Sequence, residues 1–149
     1  MRITSFSDVS LRLLMVLCAA SGEELPTTRE LAETVGTPYN HVSKAALKLR
    51  QMGLIEAIRG RGGGVRITLA GRNATVGGVL RVLDDHSDVA ACETAAGECP
   101  LAHGCGLRGA LNQAREAFYA SLDDVSLDSL SKKPQGGPVS VTLSTRPAN

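Results

Sequence analysis

Three of the four cysteines in this chain stand close together in a short acidic segment. The sequence CETAAGECPLAHGC places Cys92, Cys99 and Cys105 within fourteen residues. Between Val82 and Cys105 there are five acidic residues and no lysine or arginine. Three thiols are an awkward number for disulfides and a natural number for a metal site that takes one further ligand from elsewhere. This segment is therefore the first candidate for chemistry.

The spacing of these cysteines favours an iron–sulfur cluster, with a single zinc ion as the alternative. Six residues separate Cys92 from Cys99 and five separate Cys99 from Cys105, unlike the C-x2-C knuckle typical of structural zinc. Wider spacing in a glycine-containing loop lets thiolates surround a larger object. Cys105 also opens a predicted long helix, whose N–H groups and positive dipole end favour an anionic thiolate or cluster.

The fourth cysteine has a different environment. Cys18 lies in the apolar run LLMVLCAA, so we predict that it is a small buried hydrophobe. No apolar run reaches the roughly 18 residues needed to span a bilayer, and residues 11–20 are not followed by a secretory cleavage signal. We therefore expect a cytoplasmic protein whose thiols stay reduced.

Two predicted helices precede the cysteines and form a helix-turn-helix pattern. Residues 27–35 begin with the capping box TTRE and end before Gly36. Thr37 and Pro38 then start a second helix that runs to Gly53. Its inward positions are Val42, Ala45, Leu49 and Met52, and its outward positions are Asn40, Lys44, Lys48 and Gln51. A polar, basic outer face is expected of a recognition helix.

The segment after the second helix predicts a wing. Residues 54–59 and 65–69 are short β-branched strands, and the loop GRGGG at 60–64 joins them. Arg59 and Arg61 at the tip could enter a minor groove, where negative potential attracts arginine. A nucleotide-phosphate loop is the rival interpretation, but the G-x-x-x-x-G-K-[ST] pattern is missing from this sequence.

Charge separates the chain into a basic and an acidic part. Residues 36–72 carry seven lysines and arginines against Glu56 alone, although the whole chain has a net charge of only +1. A basic segment of this kind indicates an anionic partner such as nucleic acid, and a solvated charged face is the alternative.

The remaining segments predict helices around the cysteines. We expect helices at 7–20 and 75–84, and a long helix from Cys105 to Leu122. The long helix carries an apolar stripe at heptad-like spacing, formed by Leu107, Leu111, Ala114, Phe118 and Leu122. A chain of this size has little left to cover that stripe, so we predict a homodimer.

These elements together predict a mainly α fold with a small β-hairpin wing. We expect a winged helix-turn-helix DNA-binding domain at 1–73, a cluster-binding loop with a dimerisation helix at 74–130, and a loosely held tail at 131–149. The tail is rich in proline and glycine.

Four motifs, in this order, resemble the iron–sulfur-sensing winged-helix repressors of the IscR/NsrR family. They are MRITSFSD at 1–8, PYNH at 38–41, RGRGGG at 59–64 and the three cysteines before a long helix. The resemblance covers about residues 1–130 and implies a dimer on palindromic promoter DNA with a cluster of the 4Fe–4S type, or less often 2Fe–2S. The residues it implies at the DNA are Arg2, Asn40, His41, Ser43, Lys44 and Arg59, with Arg61 beside them.

The fourth cluster ligand distinguishes the branches of this family. The IscR branch has a histidine three residues after its last cysteine, where this chain has Arg108. The nitric-oxide-sensing branch has an aspartate in its first helix that reaches the partner's cluster, with an arginine nearby. Asp8 and Arg12 match those two positions, and a local ion pair is the alternative role for them. Local rivals for the ligand are His103, Glu98 and Glu93.

The resemblance therefore implies a nitric-oxide-sensing repressor. The alternatives are a redox or iron-status regulator of the IscR type, a zinc-stabilised regulator, and an iron–sulfur carrier or electron-transfer module. The basic wing argues against the last of these. An enzyme would need a polar catalytic constellation, and the sequence has none that we recognise.

Overall fold

The computed structural model of the chain describes residues 3–20, 25–84, 93–94, 97–98 and 105–131. These residues form mainly helices, with two short antiparallel hairpins. The elements in chain order are α1 (Ser5–Ala19), α2 (Thr28–Thr34), α3 (Tyr39–Gln51), β1 (Ile55–Ile58), β2 (Gly64–Ile67), α4 (Leu69–Asn73), α5 (Val76–Leu83), β3 (Glu93–Thr94), β4 (Gly97–Glu98), α6 (Gly106–Ala120) and α7 (Leu127–Ser131). The predicted mainly α fold with a β-hairpin is confirmed.

Helix α1 begins two residues before the predicted start. Thr4 is its N-cap and accepts a hydrogen bond from the Ser7 backbone N–H at 3.0 Å, so the helix does not need Ser7 or Asp8 as a cap. Its inner face is buried and includes Leu13 and Cys18. The prediction that Cys18 is a core residue is confirmed.

The turn between α2 and α3 follows from local sequence. The capping box forms as predicted, because the Thr27 backbone N–H donates to Glu30 at 2.7 Å and the Glu30 N–H donates to the Thr27 hydroxyl. Gly36 then adopts a φ of +63°, which few other residues tolerate. Helix α3 starts one residue later than predicted, because Pro38 rather than Thr37 is the N-cap.

The wing is a regular antiparallel hairpin. Its register pairs Ile55 with Ile67 and Ile58 with Gly64. The connecting loop turns through Gly60 and Gly62, both with positive φ, so glycine is required there for conformational reasons. The wing therefore has a defined end, where the two loop arginines lie.

One hydrophobic core joins the helices and the wing. It contains residues from α1, α2, α3, both wing strands and α5, together with Tyr119 of α6 and Leu127 of α7. Helix α7 packs against α1, and the Leu127 N–H donates to the Ala74 carbonyl at 3.0 Å. After α6 the chain thus returns to the first helix. Neither α4 nor α7 was predicted, because each is only five residues long.

Within the described ranges, no helix is both long enough and apolar enough to cross a bilayer.

Candidate nucleic-acid interface and metal centre

Helix α3 presents one polar face to solvent. Asn40, His41 and Lys44 are exposed and Ser43 is half-buried. Residues three and four apart in a helix share a face, so these side chains lie together at the beginning of α3. The opposite face is buried in the core through Val42, Ala45 and Leu49. The structure therefore brings together four of the predicted DNA contacts; Arg2 lies outside the described residues.

The start of α3 has polar backbone groups available. Pro38 caps the helix without a side-chain hydrogen bond to the first turn. The N–H groups of a helix start carry partial positive charge and bind phosphate oxygens well. The Arg29 guanidinium stacks 5.5 Å from the centre of the neighbouring Tyr39 ring, which adds a cation beside this helix start.

The wing arginines have two different environments. Arg66 pairs with Glu56 on the opposite strand, with Nη2 2.9 Å from Oε1. Arg59 and Arg61 are exposed in the loop, and within the described part of the chain neither forms an ion pair. The tip therefore carries uncompensated positive charge, whereas the middle of the wing does not.

Only part of the cysteine segment is described. Cys105 is half-buried and is the N-cap of α6, where its side chain makes no capping hydrogen bond. Cys92 and Cys99 lie outside the described residues. Between those two positions the backbone forms a small hairpin in which Glu93 pairs with Glu98. Among the residues that are described, no three potential metal ligands lie together.

Asp8 and Arg12 form the ion pair that their spacing predicts. Arg12 Nη2 lies 2.8 Å from Asp8 Oδ2, and Arg12 Nε donates to Oδ1 at 3.0 Å. Both side chains are accessible, Asp8 at 39% and Arg12 at 55%. The carboxylate is therefore held in place by a neighbour but remains reachable from outside the chain.

A buried carboxylate that we did not predict lies beside this helix start. The Ser7 hydroxyl donates to Asp84 Oδ1 at 2.6 Å, and the Tyr119 hydroxyl donates to Oδ2 at 3.2 Å. Burial first, and the Asp84 carboxylate second, raise the pKa of the Tyr119 phenol. No local motif marks this network, because Ser7 and Asp84 are 77 residues apart.

Helices α5 and α6 are joined by a second polar cluster. Arg81 donates to Glu116 Oε1 and to both oxygens of Asp123 at 2.6–2.9 Å. The Asp123 hydrogen bond, followed by the Glu116 hydrogen bond, raises the pKa of Arg81 further above its usual value. The hydrogen bond from Arg81 lowers the pKa of Asp123.

The two helices also approach closely at Gly77. A Cβ on Gly77 would meet the Tyr119 carbonyl oxygen and the Asp123 carboxylate. Only glycine leaves room for this helix contact.

The apolar stripe of α6 is largely uncovered within one chain. Leu107 is 66% exposed and Ala114 is also exposed. Leu111, Phe118 and Leu122 are half-buried, and Tyr119, which was outside the predicted stripe, is the buried residue of this helix. An accessible apolar face thus remains along α6.

A helix-turn-helix followed directly by a β-hairpin defines a winged helix-turn-helix protein, the architecture of many transcription regulators. Residues 3–133 match the Rrf2 family, described as iron-dependent transcriptional regulators. Because the match covers most of the chain, the protein belongs to the Rrf2 family.

Curated relatives support the same assignment. The chain is 46% identical over 149 residues to the HTH-type transcriptional repressor NsrR of Streptomyces coelicolor, covering 99% of both chains. It is 36% identical over 136 residues to the HTH-type transcriptional regulator NsrR of Bacillus subtilis, covering 91% of this chain and 93% of that protein. The family resemblance is confirmed, and the names are those of regulators rather than enzymes, as predicted.

Solved structures share the fold. The oxidized form of Staphylococcus aureus CymR superposes with a TM-score of 0.65 at 22% identity, covering 89% of this chain and 98% of that chain. IscR of T. potens superposes with a TM-score of 0.65 at 19% identity, covering 87% of this chain and 86% of that chain. At these identities the comparison supports the winged-helix fold alone.

Proposed function

We propose that the protein is a homodimeric, cytoplasmic repressor that binds palindromic promoter DNA while it holds an iron–sulfur cluster and releases the DNA when nitric oxide reacts with that cluster. The observation that carries the proposal is the exposed basic face of α3 beside a wing whose two tip arginines lack ion-pair partners in the described structure. The relatives named NsrR support the repressor assignment.

The position and charge of the exposed side chains on α3 and the wing support a contact with DNA. Asn40, His41, Ser43 and Lys44 lie at the beginning of a recognition helix, where base-edge contacts are expected. Arg59 and Arg61 extend the basic surface toward an adjacent groove, and Arg2 is proposed beside them by resemblance. Two such helices in a dimer would enter major grooves roughly 34 Å apart, so the operator should be an inverted repeat.

A salt titration tests the DNA contact. Lys44→Ala together with Arg59→Ala should weaken operator binding and reduce the slope of log affinity against log salt by about one for each phosphate that is no longer neutralised. Arg66→Ala is the matched control, because Arg66 lies on the same wing but is already paired with Glu56. Equal slopes for the double variant and the wild type would contradict this interface.

The proposed ligands of the cluster are Cys92, Cys99 and Cys105. Cys105 fits this role because its side chain is not used for capping and the start of α6 favours an anion. Cys92 and Cys99 are the chain neighbours of Glu93 and Glu98, which pair with each other in the small hairpin. When bound, the cluster, proposed to be of the 4Fe–4S type, would supply an iron that reacts with small diatomic molecules.

Spectroscopy with metal analysis tests the ligands. Alanine at any of the three positions should abolish the visible absorption of the cluster, and Cys18→Ala should retain it because Cys18 is packed in the core. A stable coloured protein without Cys99 would contradict the assignment. Bound zinc without iron and sulfide would instead establish a zinc-stabilised regulator, and colour without DNA binding would establish a carrier.

Asp8 of the partner subunit is the proposed fourth ligand, with Arg12 beside it. Its carboxylate is partly exposed on α1, so a second copy could reach it after the bond to Arg12 is exchanged. A carboxylate is a weaker ligand for iron than a thiolate, which leaves one iron reactive. Asp8→Ala should still assemble a cluster but alter its reactivity and weaken operator binding.

The rival ligands provide the decisive comparison. If Asp8→Ala changes neither nitric oxide reactivity nor operator affinity, while His103→Ala or Glu98→Ala destroys both, the ligand comes from the same chain and the cross-subunit role is wrong.

The uncovered apolar stripe of α6 supports dimerisation. Leu107→Glu should shift the protein toward monomer in sedimentation, since a charge would be placed in the proposed interface. Leu69→Glu is the control, because Leu69 is also highly exposed but lies on α4. A Leu107→Glu protein that remains dimeric would place the interface elsewhere.

A further inference from the structure

Asp84 occupies the meeting point of three helices. It is the C-cap of α5 and is only 6% exposed. Its two carboxylate oxygens accept hydrogen bonds from Ser7 on α1 and Tyr119 on α6, at 2.6 and 3.2 Å. Ser7 in turn shares a hydrogen bond of 2.8 Å with the α1 cap, Thr4. The network thus links the start of α1 to α5 and α6.

The hydrogen bonds of the network favour one relative position of the three helices. A buried carboxylate is costly unless its oxygens are hydrogen-bonded, so the three helices are held where both hydroxyls reach Asp84. Ser7 is fully buried and Tyr119 nearly so, which limits the access of water that could replace them. A shift of α1 relative to α6 would therefore separate Asp84 from at least one donor.

Two members of the network are adjacent in sequence to proposed functional segments, and the third lies on the same helix as a proposed ligand. Ser7 directly precedes Asp8, and Asp84 directly precedes the segment 85–92 that leads to Cys92. Tyr119 belongs to α6, whose N-cap is Cys105. Helix α1 packs in turn against the recognition helix α3.

We propose that Asp84 is a positioning residue that couples the cysteine segment to the DNA-binding helices. Its hydrogen bonds to Ser7 and Tyr119 fix the start of α1 relative to α6, so that a change at the cysteines alters the orientation of α1 and, through it, α3. This inference rests on the proposed function, because the coupled events are cluster binding and operator binding.

Removal of single hydroxyl groups tests the coupling. For wild type, Tyr119→Phe and Ser7→Ala, operator affinity is measured with and without the cluster, and the ratio of the two affinities is the readout. Allosteric couplings are typically about 5–150-fold, and we expect either variant to lose most of the wild-type ratio. Ser10→Ala is the matched control: Ser10 is also fully buried on α1, but its hydroxyl donates to the Phe6 carbonyl of the same helix. Its ratio should stay unchanged.

Hydrogen exchange gives a second readout that needs neither cluster nor DNA. In the cluster-free protein, Tyr119→Phe and Ser7→Ala should speed exchange at the amides of the first turn of α1, and Ser10→Ala should have less effect there. Asp84→Asn, which keeps an oxygen acceptor, should restore part of the coupling that Asp84→Ala loses. This partial rescue separates positioning from general loss of stability.

The outcomes distinguish the two proposals. A wild-type affinity ratio of one would overturn the proposed function, and the coupling role with it. A large wild-type ratio that both Tyr119→Phe and Ser7→Ala retain, with unchanged exchange in α1, would overturn the role of Asp84 alone.

Discussion

The recognition region, residues 27–68, and the α5–α6 region obtain their geometry in different ways. In the first, the contacts that set the shape are mostly close in sequence: the Thr27–Glu30 capping box, the Gly36 turn and the hairpin register. In the second, they are distant: Arg81 reaches Asp123, and Asp84 reaches Ser7. The surface proposed to bind DNA is therefore built mostly from local contacts, whereas the region between it and the cysteines depends on tertiary packing.

Charge follows the same division. The tip of the wing and the outer face of α3 carry cations that are exposed to solvent. In the α5–α6 region, Arg81 is neutralised by two carboxylates of the same chain. A cation that is already paired has little capacity left for phosphate, so we assign nucleic-acid binding to the first region and internal coupling to the second.

The largest expected effect concerns the core that both regions share. Leu49 is fully buried on the inner face of α3. Leu47, two residues earlier on the same helix, is 49% exposed. Leu49→Ala should lower the free energy of unfolding by about 2–5 kcal/mol, because it removes packing and leaves a cavity. Leu47→Ala should change it by less than about 0.5 kcal/mol. Urea unfolding measures both, and similar losses would contradict the burial pattern.

A smaller effect is expected where α5 and α6 make their close contact. Gly77→Ala should destabilise the protein by about 1–3 kcal/mol, because the new Cβ meets the backbone of α6. Gly109→Ala is the control, since a Cβ there meets nothing within 4 Å in the chain. Its better helix propensity should stabilise α6 by about 1 kcal/mol. Thermal unfolding measures the change in stability of both variants. A stabilised Gly77→Ala protein would show that α5 and α6 can move apart without cost.

The division explains what could be predicted from the sequence. The capping box, the recognition helix and the wing follow from patterns within about twenty residues, and their predicted positions differ from the structure by one or two residues. Helix α1 begins at Ser5, two residues before its predicted start at Ser7. Its N-cap, Thr4, precedes the apolar run from which the helix was predicted.

The distant contacts could not be predicted in the same way. No periodicity indicates that Asp84 is buried against Ser7 and Tyr119, since an aspartate after a helix is ordinarily a solvated residue. Helix α7 was not predicted because it has only five residues. It is stabilised by Leu127, which is buried in the hydrophobic core together with residues that are distant in sequence. For the metal centre, the cysteine pattern remains the main argument, because only Cys105 of the three lies within the described residues.

Salt should weaken the surface ion pairs of both regions. Arg81→Gln removes hydrogen bonds to two carboxylates, whereas Arg66→Gln removes a pair with Glu56 alone. We expect a modest decrease in Tm for the first variant and a smaller one for the second, because exposed pairs contribute little. Both decreases should shrink in 1 M salt, where screening extends over only about 3 Å. A decrease for Arg81→Gln that does not respond to salt would indicate packing, through its contact with the Tyr119 ring, as the cause.

The smallest effect is expected at the capping box, which is local and fully solvated. Hydrogen bonds from the Thr27 backbone N–H, and then from its hydroxyl, lower the pKa of Glu30 below its ordinary value. A carboxyl group whose pKa is lower in the folded state contributes stability above its unfolded pKa and loses it as the pH falls through the folded value. The stability difference between wild type and Glu30→Gln should therefore be present at neutral pH and disappear as the pH falls below the lowered pKa of Glu30 in the folded state. Glutamine keeps a side-chain acceptor, so this pair isolates the charge.

An NMR titration of the Glu30 carboxyl measures the same effect directly. Thr27→Ala removes the hydroxyl bond and weakens the cap, so the pKa of Glu30 should return toward its ordinary value in that variant. An identical Glu30 titration in wild type and Thr27→Ala would show that the hydroxyl adds nothing. Neither Thr27 nor Glu30 is among the proposed DNA contacts, so we expect operator affinity to be unchanged in both variants at neutral pH. That result would separate the capping effect from the coupling through Asp84.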